Sequence, residues 1–464
     1  MNQNNISTAE LFQRVRELLT LPELEPKTRN KMMHDTLILC CHEGVKETKQ
    51  AFGNLFSQVD YLCKAHGIKV ADKIAIQTMR RHSNSQEPLS SEDLKYDARA
   101  LAIFISAVFG VDVPHELNVL IPHTNRPYQK GLEINNRRIR CIVKNWDSDF
   151  IRVDIDQDAD EEEYLVQLKD EENHIDHTYL WDILKEGMQL NLLDCQVKQP
   201  VITPRLIVVE PDYLVDISSI ATCFTAFGHH PLLYLLNQMK PRANTQATLL
   251  GNFAGAALDD IINTNGKYQM NETIKTNFRE KALEFCTCPW FDAKKFYTDA
   301  NQQAFNLQQV VDILFPRTAS QAQMSAFRGE SLYDRKKAIL EPSFVCEALG
   351  IQGRVDLMTT DCKLLVEQKS GRNMNIETHQ VDPGYHSYQL EPHYVQLLLY
   401  YGVLQHNFKL SNDRVNIRLL YSKYQPQDGL MVVAYYQKLF KEAIEYRNQL
   451  VAASFEIAKE GFEH

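Results

Sequence analysis

The sequence predicts a mixed α/β protein of three successive regions: a helical N-terminal domain at 1–115, a β-rich region at 116–212, and an α/β region at 213–464. Three observations indicate this division. Apolar residues recur at helical spacing in the first region, alternate with polar residues in the second, and follow both patterns in the third. The length of 464 residues fits two to three domains of roughly 150 residues each.

The first region shows the spacing of packed helices. Apolar residues recur at helical intervals through 31–65. A polar, proline-containing break at 85–92 precedes a predicted helix at 93–109, which we expect to end at Gly110. No pattern in this region points to chemistry.

The second region carries short runs in which apolar and polar residues alternate, with turn residues between them. The runs fall at 138–143, 150–155, 164–168, 189–195 and 205–209. Period-two alternation with β-branched residues predicts strands, and their shortness predicts a small barrel or sheet.

The third region combines helices with strands. We predict helices at about 216–240, 246–265, 272–302, 305–314, 391–406 and 429–459, a strand pair at about 351–370, and a strand at 414–422. The strands are expected to lie in a central mixed sheet, with the helices at 246–265 and 391–406 packed against it.

Composition narrows the class of protein. Hydrophobic residues make up 44% and charged residues 24%, which are globular values. No run approaches 18 consecutive apolar residues, and the first residues lack a secretory signal, so no membrane association is expected. Ten cysteines form no CxxC pair, which favours reduced thiols in the cytoplasm.

The net charge of −10 argues against a surface coated with phosphate-binding side chains. Much of the excess lies in two acidic blocks, at 154–163 and 170–172, and the rest of the chain is near neutral. A nucleic-acid groove elsewhere is therefore compatible with the charge. The chain has no phosphate-binding loop of the GxxxxGK type, so we expect no ATP site.

The segment 350–372 carries the most informative pattern in the chain. It predicts two strands joined by a turn at 360–362. Because side chains alternate along a strand, Glu367 and Lys369 share one face of the second strand. The hairpin can bring Asp356, on the first strand, to the same face.

Two carboxylates beside a lysine suit a divalent cation. Carboxylates about 4 Å apart repel by roughly 4 kcal/mol at an effective dielectric near 20. A cation bound between them makes the electrostatic energy of the group favourable, because each carboxylate then attracts the ion. Mg²⁺ prefers oxygen ligands, and the backbone carbonyl of Gln368 can add to those of Asp356 and Glu367. Such an ion activates water for attack on a phosphate, and Lys369 can orient that water or stabilise charge. The alternative is a surface hairpin with an ordinary Glu/Lys pattern.

Residues on either side of the hairpin extend this pattern. Glu341 precedes the hairpin and could add a third carboxylate. Gln396 and Tyr400 follow it on a predicted helix, where residues four apart share a face.

Three basic residues are candidates for contact with DNA. Arg354 and Arg372 flank the hairpin and could hold phosphates. His393 lies three residues before Gln396, on the same predicted helix. As lone side chains at hairpin edges, the arginines could equally be solvated.

Taken in this order, the residues resemble the RecB-like branch of the PD-(D/E)xK nucleases. The matching stretches are Glu341, Gly353-Arg-Val-Asp356, Glu367-Gln-Lys369-Ser-Gly371 and Gln396-xxx-Tyr400. Within that branch the chain is most similar to the nuclease half of the replication helicase–nucleases. The segments 206–221 and 446–448, and a β-rich region similar to that family's OB-like barrel, extend the resemblance over about 130–460.

The resemblance implies a restriction-endonuclease-like core with a central mixed sheet, and Mg²⁺- or Mn²⁺-dependent hydrolysis of phosphodiester bonds in single-stranded DNA ends or flaps. It implies a role in replication, recombination or repair, with a helicase supplied by a missing C-terminal part or by a separate protein. The catalytic residues it implies are Asp356, Glu367, Lys369, Gln396 and Tyr400. The metal ligands it implies are Glu341, Asp356, Glu367 and Gln368.

The chain departs from the family pattern in two places. Members often carry a histidine, as an extra metal ligand or site residue, where this chain has Gly255, so this chain lacks that side chain. Many members hold an iron–sulfur cluster on one cysteine before the core and three after it. No cysteine follows Cys362, and Cys286 and Cys288 lie elsewhere in the order, so we expect no cluster.

Two other classes of function stay open on the sequence. One is a catalytically inert DNA-binding or scaffold protein with a nuclease-like fold. The presence of Asp356, Glu367 and Lys369 together favours an enzyme, because decay usually removes one of them. The other is an RNA or tRNA enzyme on the same fold, since no feature that reads a 2′-hydroxyl is visible.

Overall fold

The computed structural model describes residues 7–21, 25–85, 87–126, 136–156, 163–241, 244–264, 267–381, 387–410 and 415–461. These residues form a mixed α/β protein with several sheets. The chain divides into two compact units, Met1–Asp212 with Ala452–His464, and Tyr213–Val451. Most of the predicted acidic loop, at 157–162, lies outside the described residues.

Six helices of the first unit share one apolar core. They are α1 (Thr8–Thr20), α2 (Pro26–Gly44), α3 (Leu55–Ala65), α4 (Val70–Ser83), α5 (Ser91–Phe109) and the short α6 (His115–Asn118). The α5 helix begins where the Ser90 side chain accepts a hydrogen bond from the Asp93 amide. It ends at Gly110, whose φ of 63° favours glycine, so the predicted end is confirmed.

The β-rich part of the first unit contains all five predicted strands. The strands are β1 (Arg138–Trp146), β2 (Phe150–Ile155), β3 (Tyr164–Gln167), β4 (Lys169–Asp170), β5 (Ile175–Asp176), β6 (Gln189–Leu193), β7 (Gln196–Lys198), β8 (Val201–Thr203) and β9 (Leu206–Val209). Seven form one sheet in the order β7-β8-β3-β2-β1-β6-β9, antiparallel except for the parallel pair β3–β8. A 3-10 turn lies at Thr178–Asp182.

The second unit begins with β10 (Val215–Asp216), α7 (Ile217–Ala221), the hairpin β11 (Phe224–Thr225) and β12 (Gly228–His229), and α8 (Leu232–Met239). There follow α9 (Gln246–Asn263), α10 (Met270–Glu280), α11 (Ala282–Cys286), α12 (Ala293–Leu314) and α13 (Ala319–Phe327). The strands β13 (Ala338–Leu340), β14 (Ser343–Cys346), β15 (Ile351–Arg354), β16 (Leu357–Thr359) and β17 (Leu364–Lys369) come next. The unit continues with α14 (Met374–Thr378), α15 (Glu391–Phe408), β18 (Asn416–Tyr421), α16 (Pro426–Gly429) and β19 (Leu430–Val432). The last helix, α17 (Gln437–Glu460), belongs to the second unit as far as Val451 and to the first unit from Ala452.

Three predicted helices have different bounds in the structure. The segment 216–240 is not one helix, because the β11–β12 hairpin interrupts it. The hairpin turns at Gly228, whose φ is 142°, and Pro231 disfavours a helical backbone conformation at the residue that precedes it. The helix predicted at 272–302 is interrupted after α11. The α12 helix then continues without a break through 303–304, where a helix end was predicted because the buried residue Gln303 is polar and does not fit the apolar pattern. The segment 429–459 begins with β19, which pairs with β18.

The predicted central mixed sheet is present in the second unit. Its order is β13-β16-β17-β18-β19, with β17 and β18 parallel and the other pairs antiparallel. Apolar residues of α9 and α12, such as Phe253 and Leu307, form one core with Leu364 and Val366 of β17. The α15 helix is buried at every residue from 394 to 404, and it contacts β17 and β18.

The prediction of one continuous first strand in the hairpin is wrong. The segment is broken at Val355 and Asp356 into two strands that belong to different sheets. The β15 strand pairs with β14 and with β10 in a three-stranded sheet, whereas β16 pairs with β13 and β17 in the central sheet. The turn after β16 is as predicted, with the Cys362 amide donating to the Thr359 carbonyl. In the described part of the chain, no helix has the length and apolar character needed to cross a bilayer.

Candidate active site

Three predicted carboxylates lie at the same level of the central sheet. The ladders of β13 with β16 and of β16 with β17 both reach Leu357. If the register is continued by one residue, Asp356 lies opposite Glu341 on one side and opposite Glu367 on the other. The Glu341 amide donates a hydrogen bond of 3.0 Å to the Asp356 carbonyl. Because neighbouring strands are about 4.8 Å apart, the sheet brings together residues from separate parts of the chain.

Asp356 is held by the backbone of the neighbouring strand. Its Oδ2 accepts a hydrogen bond of 2.6 Å from the Gln368 amide. Burial raises the pKa of Asp356, while this hydrogen bond and the charge of Lys369 oppose the rise. The bond occupies one carboxyl oxygen and fixes the orientation of the other.

Glu367 is nearly inaccessible, with 2% of its surface exposed. Its Oε1 accepts from the ammonium group of Lys369 at 2.8 Å, and its Oε2 has no hydrogen-bond partner among the described residues. Burial, then the charge of Asp356, raises the pKa of Glu367 to about 8 against the opposing effect of Lys369. A buried carboxyl oxygen without a donor is a costly arrangement that a bound cation relieves.

Lys369 joins the end of β17 to helix α15. Its Nζ donates to Oε1 of Glu367 and to Oε1 of Gln396, both at 2.8 Å. An ammonium group has three donors, so two acceptors fix its position and one donor can still meet a substrate oxygen.

Tyr400 positions the chain just before Asp356. Its Oη donates to the Arg354 carbonyl at 2.6 Å, and a Cβ at Gly353 would lie 2.9 Å from its ring. This contact gives a physical reason for the glycine in the Gly353-Arg-Val-Asp356 motif. Burial, then the charge of Glu367, raises the pKa of Tyr400 above its ordinary value, so the phenol holds the backbone and keeps its proton.

A buried amide cluster, which we did not foresee, lies behind the end of β17. The Gln368 side chain donates to Ser422 Oγ at 2.7 Å, and Ser422 donates to Gln303 Oε1 at 2.6 Å. Gln303 in turn donates to the Ser370 carbonyl, and Asn306 donates to the Ser422 carbonyl. The predicted alternation is therefore present, since the Gln368 side chain contacts this cluster whereas the Glu367 side chain contacts Lys369. Two amides three residues apart on an apolar helix face were the available signal.

The predicted DNA-contacting arginines are both exposed and both paired. Arg354 contacts Glu341 at 3.0 Å, with 61% of its side chain exposed. Arg372 contacts Glu377 at 2.5 Å, and its side chain is 65% exposed. The bond to Arg372, then one from Tyr424, lowers the pKa of Glu377 to about 2. Either guanidinium can bind a phosphate by exchanging its present partner.

His393 lies on the same side of β17 as Lys369. Its Nδ1 lies 3.0 Å from Tyr421 Oη. Burial, then the charge of Lys369, lowers the pKa of His393 to about 4. The ring is therefore neutral at pH 7 and can contact a nucleotide by hydrogen bonding or stacking, but without positive charge.

A further acidic residue, Asp259 on α9, belongs to this neighbourhood and was missed. Burial, then the charge of Glu341, raises its pKa to about 7. Its position four residues after Gly255, and eight after Gly251, was the available signal, because such residues share a helix face.

The donor set fits a hard divalent cation bound with few protein ligands. No three His, Cys, Asp or Glu side chains in the described ranges are grouped so as to hold a metal among themselves. Mg²⁺ usually keeps several waters and takes one or two carboxylates, for which Asp356 and Glu367 suffice. The unpartnered Oε2 of Glu367 is the observation that favours an ion there.

A scan against models of protein families gives no match. A search of curated proteins gives no match either.

Proposed function

We propose that this protein is a metal-dependent nuclease of the RecB-like PD-(D/E)xK type, acting on single-stranded DNA ends or flaps. The observation that carries the proposal is Oε2 of Glu367, buried without a hydrogen-bond donor beside Asp356 and the doubly held Lys369. An inert scaffold gains nothing from such a costly group, whereas a cation-dependent enzyme uses it.

Asp356, Glu367 and the Gln368 carbonyl would hold Mg²⁺ or Mn²⁺, with Glu341 as a further carboxylate close by. When bound, the cation supplies acidification of water and neutralisation of phosphate charge. In the hydrolysis, a water oxygen bonds to phosphorus, the bond to one sugar oxygen breaks, and that oxygen leaves with a proton. Lys369 donates its third N–H to a phosphate oxygen and stabilises the charge that develops there.

Gln396 and Tyr400 act on this chemistry by holding other groups. Gln396 accepts from Lys369 and keeps its ammonium group directed at the site. Tyr400 holds the Arg354 carbonyl, two residues before Asp356. Small displacements of catalytic groups cost large factors in rate, so these two residues are assigned to positioning.

The folds of the two units agree with this assignment at a coarse level. A mixed sheet with helices α9, α12 and α15 packed against it supports a restriction-endonuclease-like core. The seven-stranded, mostly antiparallel sheet of the first unit supports an OB-like region that binds single strands.

The substrate and partner follow from what the chain contains. Exposed Arg354 and Arg372 beside the carboxylates can bind the backbone of a strand. The sequence given has no GxxxxGK loop, so duplex substrates would need a helicase, supplied by a further part of the protein or by a separate partner, to deliver single strands. We infer a cytoplasmic enzyme of DNA replication, recombination or repair without an iron–sulfur cluster.

The test is digestion of end-labelled single-stranded, flap and blunt duplex DNA, with a single-stranded RNA of the same sequence. Reactions contain Mg²⁺, Mn²⁺ or EDTA, and no ATP. We expect cleavage of single strands and flaps that requires the metal and weakens steeply with salt. Binding of DNA without cleavage would support the inert scaffold, preferred cleavage of RNA would support the RNA enzyme, and efficient digestion of blunt duplex would contradict the need for a helicase.

A further inference from the structure

A cavity in the first unit lies between the start of α2 and the end of α4. Its volume is about 420 Å³, within the range of roughly 300–1,000 Å³ that small-molecule sites occupy. Among the described residues that line it, none is acidic, and two are lysines. The cavity lies outside the stretch that resembles a nuclease, and its lining favours a polar, negatively charged occupant.

The start of α2 supplies hydrogen-bond donors to this cavity. The helix begins at Pro26, and its N-cap residue, Glu25, makes no side-chain capping bond. The backbone amides of Lys27 and Thr28 have no acceptor among the described residues, as first-turn amides lack a partner within the helix. Lys27 and Lys31 are both exposed and form no ion pair with a described residue. Like charges four residues apart on a helix repel, and an anion between them relieves that repulsion.

The carbonyl groups at the end of α4 are engaged close to that helix end. The Arg81 carbonyl accepts from the Asn84 amide, and the Arg80 carbonyl accepts from Ser83 Oγ at 2.8 Å. Their partial negative charge is therefore met by donors of the same segment, which reduces its repulsion of an anion.

A buried acceptor lies among these donors. Asn30 is 2% exposed, and its Nδ2 donates to the Ser85 carbonyl at 3.0 Å and to the Glu87 carbonyl at 2.9 Å. These bonds fix the amide, while its Oδ1 has no hydrogen-bond partner in the described part of the chain. An oxygen on so buried a side chain needs a donor, and a ligand hydroxyl can supply one.

His34 supplies a second acceptor to the cavity. Its Nδ1 lies 3.1 Å from Ser83 Oγ, whose single proton goes to the Arg80 carbonyl. Nδ1 therefore carries the proton in this pair, and Nε2 of the neutral ring is an acceptor. Burial lowers the pKa of His34 against the opposing charge of Asp35, so the ring is neutral at pH 7.

We propose that this cavity binds a sugar phosphate. The ammonium groups of Lys27 and Lys31 and the amides at the start of α2 hold the phosphate, and Asn30 and His34 accept from sugar hydroxyls. An inorganic anion would satisfy the donors and leave both acceptors unused, whereas a sugar phosphate satisfies both sets. The observation that points to a ligand apart from the helix start and the lysines is Oδ1 of Asn30. The inference is independent of the proposed nuclease function.

The test is calorimetric titration of the full chain, in EDTA and at low salt, with ribose 5-phosphate, ribose or inorganic phosphate. The variants are Lys27→Gln and Lys31→Gln, with Lys46→Gln as the matched control. Lys46 lies beyond the other end of α2, roughly 28 Å away at the rise of a helix. It forms an exposed pair with Glu43, whose loss has little effect on stability.

We expect ribose 5-phosphate to bind about 10-fold more tightly than inorganic phosphate, because two further hydrogen bonds form, and ribose to bind too weakly to measure. Lys27→Gln and Lys31→Gln should each weaken the binding of ribose 5-phosphate by about 10-fold, since a charged donor is lost, and Lys46→Gln by less than about twofold. No binding by the wild type, or the same affinity in all three variants, would overturn the inference. Equal affinities for ribose 5-phosphate and inorganic phosphate would overturn the assignment to a sugar phosphate.

Two short DNA strands that differ only in a 5′-phosphate or a 5′-hydroxyl distinguish the sources of such a group. If the phosphorylated strand alone displaces ribose 5-phosphate, and less well in Lys31→Gln, the occupant is the end of a strand. If neither strand displaces it, the occupant is a free sugar phosphate. Equal displacement by both strands would contradict the proposal, because the terminal phosphate would then contribute nothing.

Discussion

The backbone amide of Gln368 donates a 2.6 Å hydrogen bond to Oδ2 of Asp356, so the central strand of the sheet orients the aspartate of the neighbouring strand. The bond comes from the residue between Glu367 and Lys369, and it therefore sets the aspartate in relation to both. One carboxyl oxygen is used by the protein and the other is left for a ligand. The same hairpin thus carries the candidate groups and fixes their relative positions.

The carboxylates should be required for cleavage but not for binding of DNA. In Asp356→Asn the side-chain amide oxygen can keep the hydrogen bond from the Gln368 amide. The NH₂ group of the asparagine would then take the place of the carboxyl oxygen that is left for a cation. Glu367→Gln likewise replaces a cation-binding oxygen or the acceptor of Lys369. Because a catalytic metal supplies several kcal/mol, we expect each variant to lose at least about 1000-fold in rate.

Rates from single-turnover digestion and affinities from fluorescence anisotropy check this prediction. Asp361→Asn is the control, because Asp361 lies in the turn of the same hairpin and pairs with Lys337 on the surface. Near wild-type cleavage by either carboxylate variant would show that the site is misassigned.

Lys369→Gln should reduce the rate while Mn²⁺ binding is retained. The substitution removes the charge that faces the phosphate, and loss of one such stabilising group costs about 100- to 1000-fold in rate. Lys423→Gln is a matched control, since Lys423 pairs with Glu377 and is 44% exposed. A Lys369 variant with wild-type rate, or one that no longer binds Mn²⁺, would contradict the assigned role.

Gly353→Ala should destabilise the second unit. The new Cβ would lie 2.9 Å from the Tyr400 ring and 3.3 Å from Cβ of Ile217, in a site where neither neighbour is at the far end of a flexible chain. Overpacking of this kind costs about 1–3 kcal/mol of the free energy of unfolding.

Gly255→Ala is the comparison, because no described atom outside its own stretch of helix lies within 4 Å of its Cβ position. Alanine in a helix interior is favoured over glycine by about 0.5–1 kcal/mol, so this variant should gain stability. Urea unfolding curves of the two variants give the free energies directly, and a stable Gly353→Ala protein would argue against the packing of Tyr400 described above.

His229 should make stability depend on pH. Its ring bridges two carboxylates, with Nε2 at 2.7 Å from Glu391 and Nδ1 at 2.7 Å from Glu442. Burial by itself lowers the pKa of His229, but the hydrogen bonds to Glu442 and Glu391 outweigh it and raise the pKa above 6.5. The contribution of the charged ring is therefore fully present below about pH 6.5 and is lost as the pH rises through the higher folded value.

His229→Gln should lower the melting temperature most at pH 6 and progressively less towards pH 9. His230→Gln is the control, because it changes the adjacent ring, which accepts from the Leu232 amide. Parallel pH profiles for the wild type and His229→Gln would show that the bridge does not carry this dependence. Other titrating groups cancel when the two proteins are compared at the same pH.

Local periodicity was enough to predict several relationships within the site. Alternation along β17 separated Glu367 and Lys369 from Gln368, and helical spacing placed Gln396 on the same face as Tyr400. These relationships hold within a single element, where the geometry of the backbone alone decides which side chains face together.

The sequence by itself thus determined the central hairpin, its polar end and the helix that faces it. Only the tertiary structure decided that the strand before Asp356 divides between two sheets and that Glu341 joins the row from β13. Pairing between strands and packing of helices join residues far apart in the chain, and no local period records that choice. Burial of Oε2 of Glu367 is likewise a property of every element packed around it.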